Sequence, residues 1–287
     1  MTKKAWLYFA TMVVLWGIPY LLIRVAVRQL DPGVLVFGRT APASLLLLPV
    51  VLRRGEFRMI RAHLGWIFAF GVIEFGIPWF CMSTAEQHIT SSLTSLIVCT
   101  VPMVSMIILR FTSAREPLHA RRVLGAGLGM AGVALLVGFD LGHGSGPWIA
   151  IMAVVCIGYA VGPVMLATKL KAVSGPAVVC GATGLVALCW LPYTLTHLPH
   201  HVHAETWASI AVLSIACTGL AFLVLSELVK VAGSNRSLVV VYLNTALAVT
   251  LGILFLREPF TIGIALGFPL IVAGSYLGTR KVVQKTT

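Results

Sequence analysis

The chain has 287 residues, of which 59% are hydrophobic and only 10% charged, with a mean hydropathy of +0.97. A soluble domain carries about 25% charged residues, and spans of roughly 20 residues each would use most of this chain, so composition excludes a soluble domain. The net charge of +12 is high enough for a nucleic-acid binder, but it sits in short breaks between apolar stretches, which points to a lipid bilayer as partner and to no nucleic acid.

The apolar stretches fall at 5–27, 33–52, 63–83, 92–109, 121–139, 147–168, 176–196, 207–229, 237–256 and 261–279. In hydrocarbon every backbone polar group must be satisfied internally, so stretches of this length are helices. The expected fold is an all-α integral membrane protein with ten transmembrane helices. Lys3 and Lys4 open the first stretch, which runs past Tyr20 without a small-x-small cleavage site, so it is read as an uncleaved span. Trp16 and Tyr20 share one helical face at i, i+4. Pro19, which lies between them, frees the backbone carbonyl four residues back, and Arg24 is near enough to the end to snorkel outward.

In the second span Arg39 lies roughly 9 Å deep at 1.5 Å rise per residue. Two readings stand: a forked donor that ties helices together, or a clamp for a substrate carboxylate. In the third span Glu74 lies on the order of 15 Å from either end. A charge there costs at least about 2.5–3.5 kcal/mol, which leaves proton coupling, a substrate amine, a structural ion pair with an arginine, or a wet vestibule as explanations. Pro78 and Trp79 follow it, and the span ends in Glu86-Gln87-His88. Pro102 interrupts the fourth span, and Gly125, Gly127, Gly129 and Gly132 give the fifth a surface for close helix approach.

A Gly-rich connection around Asp140 to Pro147 separates two halves, 1–143 and 144–287. In the second half Tyr159 takes the place of Trp16, Pro163 lies in the sixth span, and Tyr242 precedes Asn244 in the ninth. Glu227 lies within reach of Lys230 as an interfacial pair. Gly263, Gly267 and Gly274 repeat part of the glycine surface in the tenth span. His197, His200, His201 and His203 lie in a short loop lacking a carboxylate or cysteine set that would complete a metal site. All six cysteines fall inside apolar spans without metal spacing and are read as packing residues. Trp6, Trp66, Trp148 and Trp207 lie at span ends, as an aromatic belt requires. There is no HExxH and no Walker A motif, so no catalytic residue, metal or cofactor is expected.

Residues 92–135 match residues 234–277 at a constant offset of 142, without a gap. Shared positions include Ser92/Ser234, Ser95/Ser237, Arg115/Arg257, Glu116/Glu258, Pro117/Pro259, Gly125/Gly267 and Gly132/Gly274. A unit of five spans reverses direction when copied in tandem, giving the inverted repeat common in secondary transporters. With the N-terminus inside, seventeen of the 21 Lys and Arg fall in inside segments. Under the positive-inside rule both termini are then cytoplasmic, in an inner membrane.

Leu15-Trp16-Gly17, Phe37-Gly38-Arg39, Ser91/Ser92/Ser95, Pro102, Arg115-Glu116-Pro117 and Gly125…Gly132 resemble the EamA-type repeat. So do Ala232-Gly233-Ser234, Tyr242-Leu243, Arg257-Glu258-Pro259 and Gly267…Gly274 in the second half. Together they resemble the drug/metabolite transporter superfamily over nearly the whole chain. The resemblance implies a ten-helix exporter of small metabolites, with a central cavity between helices one, three, four, six, eight and nine. Members include bacterial amino-acid exporters, and other branches carry nucleotide sugars or sugar phosphates. Two departures stand out: Asn244 where the family has a proline, and Glu86-Gln87-His88 after span three. No Lys-Arg pair in the late helices suits a phosphate.

The expected function is secondary-active export of amino acids, aromatic or neutral, by alternating access. Trp16, Tyr20, Pro78, Trp79, Tyr159, Tyr242 and Asn244 would line the site, with Glu74 and Arg39 as coupling or ion-pair residues and a proton as possible coupling ion. Nucleosides, polyamines or drugs are the alternative cargoes. An intramembrane enzyme, a receptor-like binding protein and a channel are the alternative classes.

Overall fold

A computed structural model describes residues 3–110, 120–140, 145–232 and 240–279. The expected Arg115-Glu116-Pro117 segment, Ser234 and the Lys230 side chain lie outside the described residues. Every described element is helical. The first apolar run, Lys3–Ala26, is α1 (Lys3–Gly17) and α2 (Pro19–Ala26). Pro19 divides them, because it cannot donate to the ladder. α3 (Pro32–Arg53) starts where the Asp31 carboxylate accepts from the Gly33 N–H at 2.8 Å. It runs through Pro42 and Pro49 without a break. After the short α4 (Phe57–Ala62), α5 (Leu64–Gly71), a π-helical turn at Val72–Gly76 and α6 (Ile77–Ala85) form one continuous rod. The fourth span is split into α7 (Ser91–Val98) and α8 (Val101–Arg110), with the break just ahead of Pro102. α9 (Ala120–Asp140) completes the first half.

The second half repeats the order: α10 (Gly146–Thr168), α11 (Gly175–His197), then α12 (Ala204–Ala211), a π-helical stretch Val212–Leu220 and α13 (Ala221–Ala232) as one rod. α14 (Val240–Leu256) and α15 (Ile262–Thr279) follow. The expected all-helical membrane fold is therefore present. Among the described residues six helices are long and apolar enough to cross a bilayer, while Ser91–Ser105, Val240–Leu256 and Ile262–Gly274 are apolar but shorter. Leu7, Leu45, Leu52, Met130, Leu188, Leu195, Leu254 and Phe255 are exposed, giving a perimeter suited to hydrocarbon. Trp6, Trp66 and Trp207 are also exposed at helix ends, as an aromatic belt requires.

Three pairs of corresponding helices from the two halves lie side by side and run antiparallel. α9 crosses α15 where a Cβ on Gly132 would stand 2.8 Å from the Gly267 carbonyl, while Gly274 packs onto the backbone of Gly125 and Gly129. These are the small-residue surfaces expected for close approach. α3 crosses α11 with Gly33 against Trp190 at one end and Ser44 donating to the Cys180 carbonyl at 2.9 Å further along. α7 pairs with α14, Ser92 lying against Gly252 and Cys99 grouping with Tyr242. The first and third spans exchange partners: α10 lies on the α5–α6 rod, and the α12–α13 rod lies on α1–α2. Antiparallel pairing of equivalent helices is the contact pattern of an inverted repeat about a two-fold axis.

Candidate functional site

The two π-helical stretches occupy equivalent places. Val72–Gly76 shifted by 142 residues falls at 214–218, inside Val212–Leu220. π turns of this kind concentrate at functional sites, and here both carry residues of one buried constellation.

Arg39 is its centre. The side chain projects from α3, is 8% exposed, and sends Nε to Thr218 Oγ1 at 3.1 Å. The same hydroxyl donates to the Leu213 carbonyl at 2.9 Å, five residues back, where the π turn leaves a carbonyl within reach. One hydroxyl therefore both holds the irregular helix and orients the arginine. The guanidinium carbon stands 3.5 Å from the centre of the Trp79 ring, a cation–π arrangement worth about 2 kcal/mol or more when desolvated. Trp79 heads a row of rings: Phe75 at 4.9 Å, Phe222 5.7 Å beyond, and Trp16 a further 6.1 Å away. Tyr159 lies against Trp79 and within electrostatic reach of Arg39 and Glu74. Tyr20 is buried within reach of Tyr159.

Glu74 sits in the first π turn. α10 approaches it through Gly158 and Gly162, one helical turn apart. A Cβ on Gly162 would collide with Glu74 Oε2, and one on Gly158 would press on the Ile73 carbonyl and on the Pro78 ring. Glu74 Oε2 is buried and has no hydrogen-bond partner among the described residues, and no charged neighbour acts on the carboxylate. Among the described residues Glu74 makes no ion pair with an arginine.

The structure thus brings Arg39, Trp79, Tyr159 and Tyr20 together, with Glu74 adjacent and Trp16 joined through the rings. Asn244 is buried in α14, its backbone carbonyl 3.0 Å from where a Cβ on Gly17 would stand. Tyr242 lies elsewhere, with Cys99 and Ile271 between α7 and α15. His197 stacks on Tyr193 with centroids 3.9 Å apart, and His88 stacks on Trp148 at 3.7 Å.

Sequence reasoning missed two features. Glu258 is 9% exposed and closes the N-terminus of α7 from the other half of the molecule. Its Oε1 accepts from the Ser91 N–H at 2.7 Å and the Ser91 hydroxyl at 2.9 Å, while Oε2 accepts from the Ser92 N–H at 3.0 Å and the Ser92 hydroxyl at 2.5 Å. Arg257 directs it, turning the chain after α14 with a φ of 55°, while the Glu258 N–H returns to the Gly252 carbonyl at 3.2 Å. The second missed residue is Glu86, fully buried at the end of α6, whose backbone carbonyl accepts from Arg24 Nη1. The sequence signal for the first was the Ser92/Ser234 and Glu116/Glu258 matches. For the second it was only the departure from the family's usual residues after span three.

The sequence profile of the EamA-like transporter family matches residues 3–138 and, a second time, residues 146–280. This chain belongs to the EamA-like transporter family. It is therefore a multi-pass membrane protein of the transporter class, built from two EamA repeats. It is similar to an uncharacterized transporter of Archaeoglobus fulgidus, 24% identical over 281 residues, covering 97% of this chain and 99% of that protein. A crystal structure of another protein aligns with a TM-score of 0.65 at 20% identity, over 98% of this chain and 100% of the other, which shows a shared fold.

Proposed function

We propose that this EamA-family transporter is a secondary exporter of amino acids with aromatic or neutral side chains, working by alternating access. On this reading ten spans cross an inner membrane with both termini cytoplasmic, and the two antiparallel half-bundles rock about the Arg39–Trp79 centre. The observation that carries the reading is the state of Arg39. Its Nε is held by Thr218 and its face by Trp79, yet its two terminal nitrogens have no hydrogen-bond partner among the described residues. A guanidinium fixed in this way presents a two-pronged donor that matches a carboxylate. The aromatic row beside it supplies a surface for an apolar or aromatic side chain. Glu74, buried and without a charged partner, is the group proposed to carry a coupling proton.

Counterflow in proteoliposomes tests this: labelled amino acids, aromatic and aliphatic, should exchange saturably and emerge unchanged. Arg39→Ala should abolish exchange, and Arg39→Lys should lower it at least about tenfold, because an ammonium keeps the charge but loses the fork and the stacking. Exchange of nucleosides or polyamines in place of amino acids would overturn the cargo, and chemical conversion of the solute would overturn the class.

A further inference from the structure

We infer that Glu86 receives the ammonium group of the cargo. This rests on the amino-acid reading above for the identity of the cargo, but not for the existence of a cation site. Glu86 is 0% exposed, and both its carboxylate oxygens are buried without a hydrogen-bond partner among the described residues. A buried carboxyl in that state sheds its charge by taking up a proton and becomes a carboxylate only beside a cation that supplies donors.

None of its charged neighbours does so. Those within electrostatic reach are Arg24, Arg39 and Glu258, together with the Tyr20 hydroxyl. Arg24 gives its Nη1 to the Glu86 backbone carbonyl and leaves the carboxylate unbonded. Arg39 sends Nε to Thr218 and makes no hydrogen bond to the Glu86 carboxylate. Glu258 is a second carboxylate nearby, and its oxygens already take two N–H groups and two hydroxyls. Of two neighbouring carboxylates, one is saturated and the other has no donor at all. An ammonium group, with three N–H donors, is the chemistry that fills this gap.

The signs of the two groups fit a zwitterion. Arg39 and Glu86 feel one another, and Tyr20 lies within reach of both. A carboxylate at the Arg39 fork and an ammonium at Glu86 would add equal and opposite charges. A cargo bearing a carboxylate alone would leave Glu86 unsatisfied and add net negative charge. Glu86 is thus a specificity-determining residue. It is positioned by the end of α6 and by the Arg24 bond to its own backbone.

Three probes of one shape test it: L-phenylalanine, 3-phenylpropanoate without the amine, and phenethylamine without the carboxylate. In wild-type proteoliposomes 3-phenylpropanoate should compete with labelled phenylalanine at least about tenfold more weakly than phenylalanine itself. In Glu86→Gln the half-saturation for phenylalanine should rise at least about tenfold while inhibition by 3-phenylpropanoate is unchanged. Glu86→Asp, which keeps the charge, should restore part of the discrimination, and a single sharp melting transition shows that each variant is folded. In parallel, phenethylamine should raise the melting temperature of wild type and not of Glu86→Gln. Equal weakening of phenylalanine and 3-phenylpropanoate in Glu86→Gln, or no stabilisation of wild type by phenethylamine, overturns the assignment. If wild type exchanges no amino acid yet is stabilised by phenethylamine through Glu86, the cation site stands and the amino-acid reading falls.

Discussion

At Gly252 a single hydrogen makes room for a four-donor carboxylate site. A methyl group there would stand 2.5 Å from Glu258 Oε2 and 2.6 Å from Ser92 Oγ, displacing the carboxylate from the α7 N-terminus. Buried donors that lose their acceptor cost about 1–3 kcal/mol each. Gly252→Ala and Glu258→Ala should therefore both lower the melting temperature in detergent, whereas Ser91→Ala, which removes one hydroxyl and leaves the N–H bonded, should lower it less. Equal losses for all three would show that the hydroxyls, and not the carboxylate, hold the contact. The sequence contained both ends of this contact as repeat matches, Ser92 with Ser234 and Glu258 with Glu116. It could not pair them, because they are 166 residues apart and meet only when the halves pack antiparallel. Arg39 and Glu74 were legible for a simpler reason: charge deep in an apolar run is conspicuous whatever surrounds it. Their neighbours were not, since Thr218 is an ordinary small residue until a π turn brings it onto Arg39.

Helices four and nine are repeat counterparts that differ at one decisive position. Where the first has Pro102 the helix stops at Val98 and resumes at Val101; where the second has Asn244 the helix is unbroken from Val240 to Leu256. The asymmetry follows from proline's missing N–H and the clash of its ring with the preceding turn, about 3 kcal/mol or more in a helix interior. Asn244→Pro should introduce the same break into α14, seen as a lower melting temperature by a few degrees or more and as loss of exchange. Retention of both would mean that α14 tolerates a break at this depth. Proline positions and span limits could be read in the sequence, although Pro42, Pro49, Pro163 and Pro269 lie inside continuous helices. The π turns could not, since one extra residue in a turn leaves no local signature within an apolar run.

For the whole molecule the repeat offset and the positive charges were enough to anticipate two halves of opposite orientation. The antiparallel crossings of α9 with α15, α3 with α11 and α7 with α14 have that arrangement. Which helices exchange partners was not legible, because it depends on surfaces such as Gly158 and Gly162 whose use is decided only by the helix opposite. Sidedness has a direct test. In a variant without its native cysteines, single cysteines at His200 and at Lys171 should react differently with an impermeant thiol reagent. The His200 position should label from outside intact cells, and the Lys171 position only after the membrane is opened. The reverse pattern would invert the proposed topology.

The matched π turns have a mechanical consequence. A helix is stiff along most of its length, and sharp bends gather where its ladder is irregular. Here the irregular stretches lie at equivalent places in both halves, one holding Glu74 and the other holding Thr218 beneath Arg39. On the alternating-access reading, these two stretches are where the rods would bend first. On the proposed reading, the residues that would grip the solute are mounted on these same irregular stretches, and gripping and bending would be one event.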